Sequence, residues 1–459
     1  MNNKKLFPIS ASLLIILAAG FTIVCTLGLD TRYAPDEVMR KQIADFIVMN
    51  GYLPWGDEPE LITVWGFNYS FSPYFPTILG SLFMKAASLF TDNPYILLAA
   101  FRQVSTISVI GTGIYSMLIA QNVFHRYGVQ LLFVSLSLFL PQFLYLASYF
   151  NNDIFSIFLG YGFVYCWIRA LRNGWTGTQC VHLGILCGLM SITYYFGYAY
   201  LLASLIVFCI SCWKEKTDKI YFWSRFVIVF LIAFTIGGWW FIKNANFMAF
   251  DFLGFKATEF YQEMYGQNLN LLHPADSMSF IDMIFKPVGQ GDEAMLWWRH
   301  SLMSYIGVFQ SMSVVMHWKY YVFYFLILGS GFITGFVFSL KSFIKMNKNR
   351  LFMIALVISI VLPVFLSAYN SYVNDYQPQG RYMMSSLCAV MLCVAYGFSK
   401  LETIFDRAQG WLLNTVFRIK PDFRLSLSLI TALFFCYKGL QLYYLHNAEI
   451  LFTNLSRLF

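Results

Sequence analysis

The feature that most constrains this chain is a series of apolar runs about twenty residues long, joined by short connectors in which the basic residues gather. A bilayer core about 30 Å thick needs about 20 apolar residues for each helical crossing. Backbone polar groups have no water to bond there, so each such crossing must be a helix. The chain therefore reads as an all-α polytopic membrane protein. Only 12% of its residues are charged and its mean hydropathy is +0.60, whereas a soluble domain carries about 25% charged residues. The first run, residues 8–29, is longer than a signal-peptide core and lacks a small-residue cleavage pattern, so it is expected to be retained as a span.

The net charge is +8, but Lys and Arg concentrate at Lys4 and Lys5 and in the connectors 125–128, 169–174, 214–219, 341–350 and 399–424. That is the positive-inside distribution, not a nucleic-acid face. With all of these segments in the cytoplasm, an even number of crossings must separate each pair. Three apolar stretches (8–29, 73–91 and 97–124) lie between the first two basic segments, so one of them cannot cross. The stretch 73–91 opens with Pro73 and Pro76 and carries Lys85, and is expected to lie as an interfacial helix on the outer face. By the same parity, residues 180–213 form a pair of short helices turning near 193–200. The result is about eleven spans in one membrane domain, 1–459, with a cytoplasmic N-terminus. Two large outer loops, 30–96 and 243–318, then carry interfacial helices and the polar work. The Gly184/Gly188 and Gly331/Gly335 spacings read as close helix packing.

Nine cysteines lie within or beside apolar runs, including the Cys209/Cys212 CxxC, so packing is favoured over redox or metal chemistry. The six histidines show no zinc-binding spacing. The informative polar residues are on the outer side. Asp36 and Glu37 follow Pro35 at the start of an amphipathic stretch, where capping by a helix N-terminus competes with a catalytic role. Asp153 sits in a tight turn, "NND" 151–153, where an N-cap is the competing explanation. Arg381 leads an apolar run in "QGRY" 379–382 and suits a phosphate, with Gln379 and Tyr382 beside it. Arg102 is a further phosphate candidate, balanced against a structural partnership with a loop acid. Asp292, Glu293 and Trp297 in "QGDEAMLWWRH" suit either sugar stacking or an interfacial aromatic belt. Tyr194 and Tyr195 stand at the turn of the short helix pair, where they either line the same cavity or belong to that belt.

Taken together, these residues resemble the GT-C superfamily of integral-membrane glycosyltransferases, which use polyprenyl-phosphate sugars. The features that carry the resemblance are "PDE" 35–37, "NGYLP" 50–54, "YSFSPYFP" 69–76, "AAFR" 99–102, "NND" 151–153 and "QGRY" 379–382, in that order. Among the groups it resembles are the protein O-mannosyltransferases and the bacterial transferases that modify lipid A or cell-wall glycans. Many of them have His three positions after the Glu, where this chain has Arg40.

The resemblance implies transfer of a sugar from a polyprenyl-phosphate-linked donor to a hydroxyl of a glycan, lipid or protein on the outer face of a cytoplasmic membrane. Residue usage rich in Lys, Asn, Phe and Tyr points to a bacterium. Asp36 is the expected base, with Glu37 tuning it and Asp153 as second acid; Arg381, with Arg40 and Arg102 behind it, is expected to contact the donor phosphate. One base and direct displacement imply inversion at the anomeric carbon. No cofactor is required outright. If Mg2+ or Mn2+ takes part, Asp36 and Asp153 are its expected ligands. A lipid-linked glycan ligase or polymerase, and a lipid-linked sugar flippase, are the competing classes. The flippase is disfavoured by the lack of matching halves and of mid-membrane charges.

Overall fold

The computed structural model describes residues 3–215, 218–267, 271–289, 294–310, 312–343, 348–411 and 426–451. Helix α1 (Asn3–Gly28) holds the first apolar run. It is followed by α2 (Glu37–Asn50), α3 (Phe75–Ala87), α4 (Pro94–Phe101) and α5 (Gln103–Val123). Next come α6 (Tyr127–Leu138), α7 (Pro141–Ala147), α8 (Asn152–Asn173), α9 (Gly177–Ser191), α10 (Tyr198–Glu215) and α11 (Lys219–Phe247). The second long connector holds α12 (Phe255–Tyr265), α13 (Phe280–Phe285), α14 (Trp297–Gly307) and an antiparallel hairpin of β1 (Val308–Phe309) with β2 (Val314–Val315). The last described helices are α15 (Trp318–Phe343), α16 (Lys348–Val373), α17 (Leu387–Trp411) and α18 (Leu427–Leu451).

Among the described residues, eight helices are long and apolar enough to cross a membrane, and a ninth crossing results if the bent pair α6–α7 counts as one. Helix α9, with 15 residues, and α18 lie outside that set. Length and hydropathy alone therefore stop short of the expected eleven. The segment expected to lie flat is the short apolar helix α3, 13 residues long. The expected pair within 180–213 is α9 and α10, joined by a turn around Tyr195–Gly197.

The stretch 129–149 carries a 52° bend between α6 and α7. Pro141 brings no N–H to continue α6, and it drives the preceding Leu140 to extended backbone at φ −66°, ψ 129°. Beyond the bend, the α7–α8 turn meets the start of α2, where Phe150 N–H donates to Glu37 Oε1.

Helices α6, α7 and α8 are buried on nearly every side. The apolar window of α8 is 78% buried against 22% for α11 and α15, so α8 is central and the other two are peripheral. Both small-residue spacings serve close packing. Gly184 and Gly188 of α9 meet Ile232 and Ile236 of α11, and a Cβ on Gly397 of α17 would collide with the Gly331 carbonyl of α15.

Candidate active site

One end of the bundle gathers four chain segments: the start of α2, the start of α5, the turn before α8, and the 3-10 turn Gly380–Ser386 that leads into α17. Asp36 precedes α2 at φ 63°, ψ −5°, in the left-handed region. Holding an L-residue there costs about 1–2 kcal/mol. The Asp36 side chain makes no capping bond to α2, so capping does not account for "PDE". Instead Oδ2 accepts a hydrogen bond from Arg381 Nη2 at 3.0 Å. Tyr69 reaches the same carboxylate, and the Arg40 guanidinium lies 4.9 Å from the centre of the Tyr69 ring. Burial pushes the Asp36 carboxyl up. The charges of Arg381 and Arg40, with hydrogen bonds from Arg381 and Tyr69, outweigh burial and hold it below the ordinary carboxylate range.

Glu37 and Arg102 are both fully buried and form a bidentate pair, with Nε donating to Oε1 at 2.7 Å and Nη2 to Oε2 at 2.5 Å. The backbone N–H of Phe150 also donates to Oε1 at 2.7 Å, and Arg102 Nη1 donates to the carbonyls of Thr26 and Leu29. This network ties α1, α2, α5 and the turn before α8 into one unit. Of the two readings of Arg102, geometry takes the partnership with a loop acid. That partnership leaves neither Arg102 free for a phosphate nor Glu37 for a reacting group, contrary to the catalytic and phosphate-contact roles expected of them.

Asp153 lies in the first turn of α8, but the cap is Asn151, whose side chain accepts from Ile154 N–H at 2.9 Å. Asp153 is buried and bonded by the Tyr194 hydroxyl, and the charges of Arg381, Arg40 and Asp36 all act on it. Arg381 is placed by its neighbour Gly380, whose N–H donates to Ser304 Oγ at 2.5 Å. A Cβ at Gly380 would collide with the backbone of Tyr305 and Ser301 in α14.

Several buried polar atoms here have no protein partner: Nε and Nη1 of Arg40, Nε of Arg381, Oδ1 of Asp153 and the hydroxyl of Tyr149. Each such group costs about 1–3 kcal/mol. They lie together around Asp36, Asp153 and Arg381.

No protein-family profile matches the sequence, and no curated protein sequence matches it. Solved structures do match. The apo oligosaccharyltransferase of Archaeoglobus fulgidus superposes with a TM-score of 0.53 at 14% identity, over 97% of this chain and 56% of its own. The oligosaccharyltransferase AglB of the same organism, in complex with an inhibitory peptide and a dolichol-phosphate, gives 0.52 at 13% identity, over 96% and 56%. The chain thus spans little more than half the length of these archaeal proteins. ArnT from Cupriavidus metallidurans bound to undecaprenyl phosphate gives 0.47 at 12% identity, over 98% and 74%. The chain has the GT-C fold.

Within this GT-C fold, the remaining expected site residues divide. Tyr194 is at the site through Asp153, and Tyr382 through Arg381, whose Nη2 also donates to the Tyr382 oxygen at 3.2 Å. Gln379 leads the 3-10 turn, and its side-chain amide donates to Gln377 at 3.5 Å. Tyr195 faces elsewhere: its hydroxyl donates to the Leu253 carbonyl, and its ring packs with Trp240 and Phe255. Trp297, expected to stack on sugar or sit in an interfacial belt, is buried against Met283, Tyr376 and Met383 and donates to Ser371. Asp292 and Glu293 lie outside the described residues. Tyr69 and Tyr149 also border Asp36 and Arg381. Tyr69 stands in the quoted "YSFSPYFP", and nothing local distinguishes Tyr149.

The expected metal pair does not fit. Arg381 occupies Oδ2 of Asp36 and Arg40 stands beside it, so a divalent ion between Asp36 and Asp153 would face two guanidinium charges. Among the described residues no three His, Cys, Asp or Glu side chains come together.

Proposed function

We propose that this protein transfers a sugar from a polyprenyl-phosphate-linked donor to a hydroxyl of a cell-surface glycan, lipid or protein, with inversion. The observation that carries the proposal is the Asp36–Arg381 pair, set beside unpartnered donors on Arg40 and Arg381 at one end of a membrane bundle. The AglB complex with a dolichol-phosphate supports a polyprenyl phosphate as the lipid carrier.

In this reading Asp36 takes the proton from the acceptor hydroxyl as its oxygen attacks the anomeric carbon. Arg381 and Arg40 stabilise the leaving phosphate. The donor phosphate competes with Asp36 for Arg381. As the guanidinium turns to the phosphate, Asp36 loses its counter-charge and becomes a stronger base where substrate is bound. Asp153 and Tyr194 orient the sugar or acceptor. The Glu37–Arg102 pair holds the start of α2 in place. The site faces the outer side of a bacterial cytoplasmic membrane, with the N-terminus inside, as the basic connectors suggest.

AglB is an oligosaccharyltransferase, which favours one second reading: transfer of a whole lipid-linked glycan. Purified protein in nanodiscs, offered labelled sugars on polyprenyl monophosphate or diphosphate, separates the two. Consumption of monophosphate donors alone is the expected result. Consumption of diphosphate-linked glycans alone would replace the first reading with the second.

A further inference from the structure

A chain of hydrogen bonds enters the site from the connector after α16, and its outer members have no role in the chemistry above. Gln377 Nε2 donates to Asp375 Oδ2 at 2.7 Å. The Tyr382 hydroxyl donates to Gln377 Oε1. Arg381 Nη2 then donates to the Tyr382 oxygen at 3.2 Å and to Asp36 Oδ2 at 3.0 Å. The surroundings are fixed as well. The Tyr382 ring stacks on Phe196 at 5.0 Å, and the Gln377 carbonyl accepts from Ser371 Oγ at 2.9 Å.

The chemistry at each end dictates the direction of every bond. An ionised carboxylate only accepts, so Asp375 takes the amide NH2 of Gln377 and turns its carbonyl oxygen inward. That oxygen also only accepts, so Tyr382 commits its single proton to Gln377. The lone pairs of Tyr382 are left for Arg381, which can only donate. We infer that Gln377 is a positioning residue of the transfer site: anchored by Asp375, it sets the Tyr382 hydroxyl that holds the Arg381 guanidinium against Asp36. This rests on the reading of Asp36 and Arg381 as site groups. It also moves attention from Gln379 to Gln377 within "QPQGRY".

The test is a double-mutant cycle with full-length protein in nanodiscs and a polyprenyl-phosphate sugar. Gln377→Leu and Tyr382→Phe should each lower kcat/KM about tenfold, as expected for the loss of a hydrogen bond to a charged group's partner. The double variant should lose no more than the larger single loss, because the two residues act in series. Losses that multiply would overturn the proposal, since a merely structural Gln377 gives independent effects. Reversing the first bond is the second arm. Gln377→Glu alone sets two carboxylates face to face and should cost about tenfold or more. Combined with Asp375→Asn, it regains a donor–acceptor pair and should return activity to within about threefold of wild type; no recovery overturns the proposal. This arm also serves if Gln377→Leu does not accumulate. If wild type uses no polyprenyl-phosphate sugar, the functional reading fails. The same cycle in thermal unfolding midpoints then decides: coupled shifts support the relay, and additive shifts reject it.

Discussion

Arg381 donates to Asp36 at 3.0 Å although 345 positions separate them. The bond joins the first long connector to the turn that leads into α17 and balances the first acid of "PDE". Glu37, the adjacent acid, is balanced by Arg102 in a separate buried pair. Two neighbouring carboxylates thus have unrelated tasks, and several consequences can be measured.

Asp36→Asn keeps the side chain's shape and removes its charge. Transfer is expected to fall by at least about 10²–10⁴-fold, the range for a positioned general base, with normal membrane insertion. Near-normal turnover by purified Asp36→Asn would remove Asp36 from the mechanism.

Asp36 titrates below the ordinary carboxylate range when folded, so its ionised form contributes stability above that range. The contribution is lost as pH falls through the depressed folded value. In free enzyme the acid limb of kcat/KM should therefore lie below the ordinary carboxylate range. The acid limb of kcat should lie higher, because bound phosphate draws Arg381 away. Arg381→Met, which leaves burial unopposed by that charge, should raise the kcat/KM limb. Coincident limbs in pH–rate profiles would argue against the competition for Arg381.

Removing one partner of a buried ion pair costs about 3–5 kcal/mol. Glu37→Gln and Arg102→Met should each lower the thermal unfolding midpoint sharply and reduce accumulation in membranes. Because the charges are removed together, the double variant should lose less than the sum of the two. Retained stability with a selective loss of donor affinity would instead assign Arg102 to phosphate.

Gly380→Ala puts a methyl group against the backbone of α14. Relief requires the turn to move and takes Arg381 with it. Overpacking of this kind costs about 1–3 kcal/mol, and transfer should fall about tenfold or more. Wild-type kinetics from Gly380→Ala would show that the turn's placement does not matter.

Trp297→Ala empties a buried position in the cluster around Met283 and Met383. A loss of about 3–5 kcal/mol in stability is expected, with KM values for donor and acceptor unchanged. A large rise in either KM, with stability kept, would restore the sugar-stacking role.

Much of this arrangement can be read from the sequence because membrane solvation writes it there. Apolar runs mark the crossing helices, and charge parity distinguishes α3 from a span and divides 180–213 into α9 and α10. The order of "PDE", "NND" and "QGRY" brings Asp36, Asp153 and Arg381 into one set, and the three do meet. What stays hidden depends on tertiary contact. The bend at Pro141 lies in a run apolar on every side, which carries no periodicity to reveal a change of direction. The choice between a phosphate and Glu37 for Arg102 depends on which atoms arrive beside it. Acids next to tryptophans suit a sugar site, yet Trp297 is claimed by a hydrophobic cluster. Gln377 and Gln379 flank the same proline, and only the rotor of Tyr382 separates them.

The left-handed Asp36 also bears on how the protein is made. Helices enter the membrane in the order of synthesis, so the first connector is in place long before Arg381 leaves the ribosome. Until then the acid has the Arg40 charge but not that of Arg381, and nothing from the later turn holds its strained backbone. Chains cut short before α17 carry "PDE" and "NND" but lack Arg381, and with it the bond that ties Asp36 to the turn before α17.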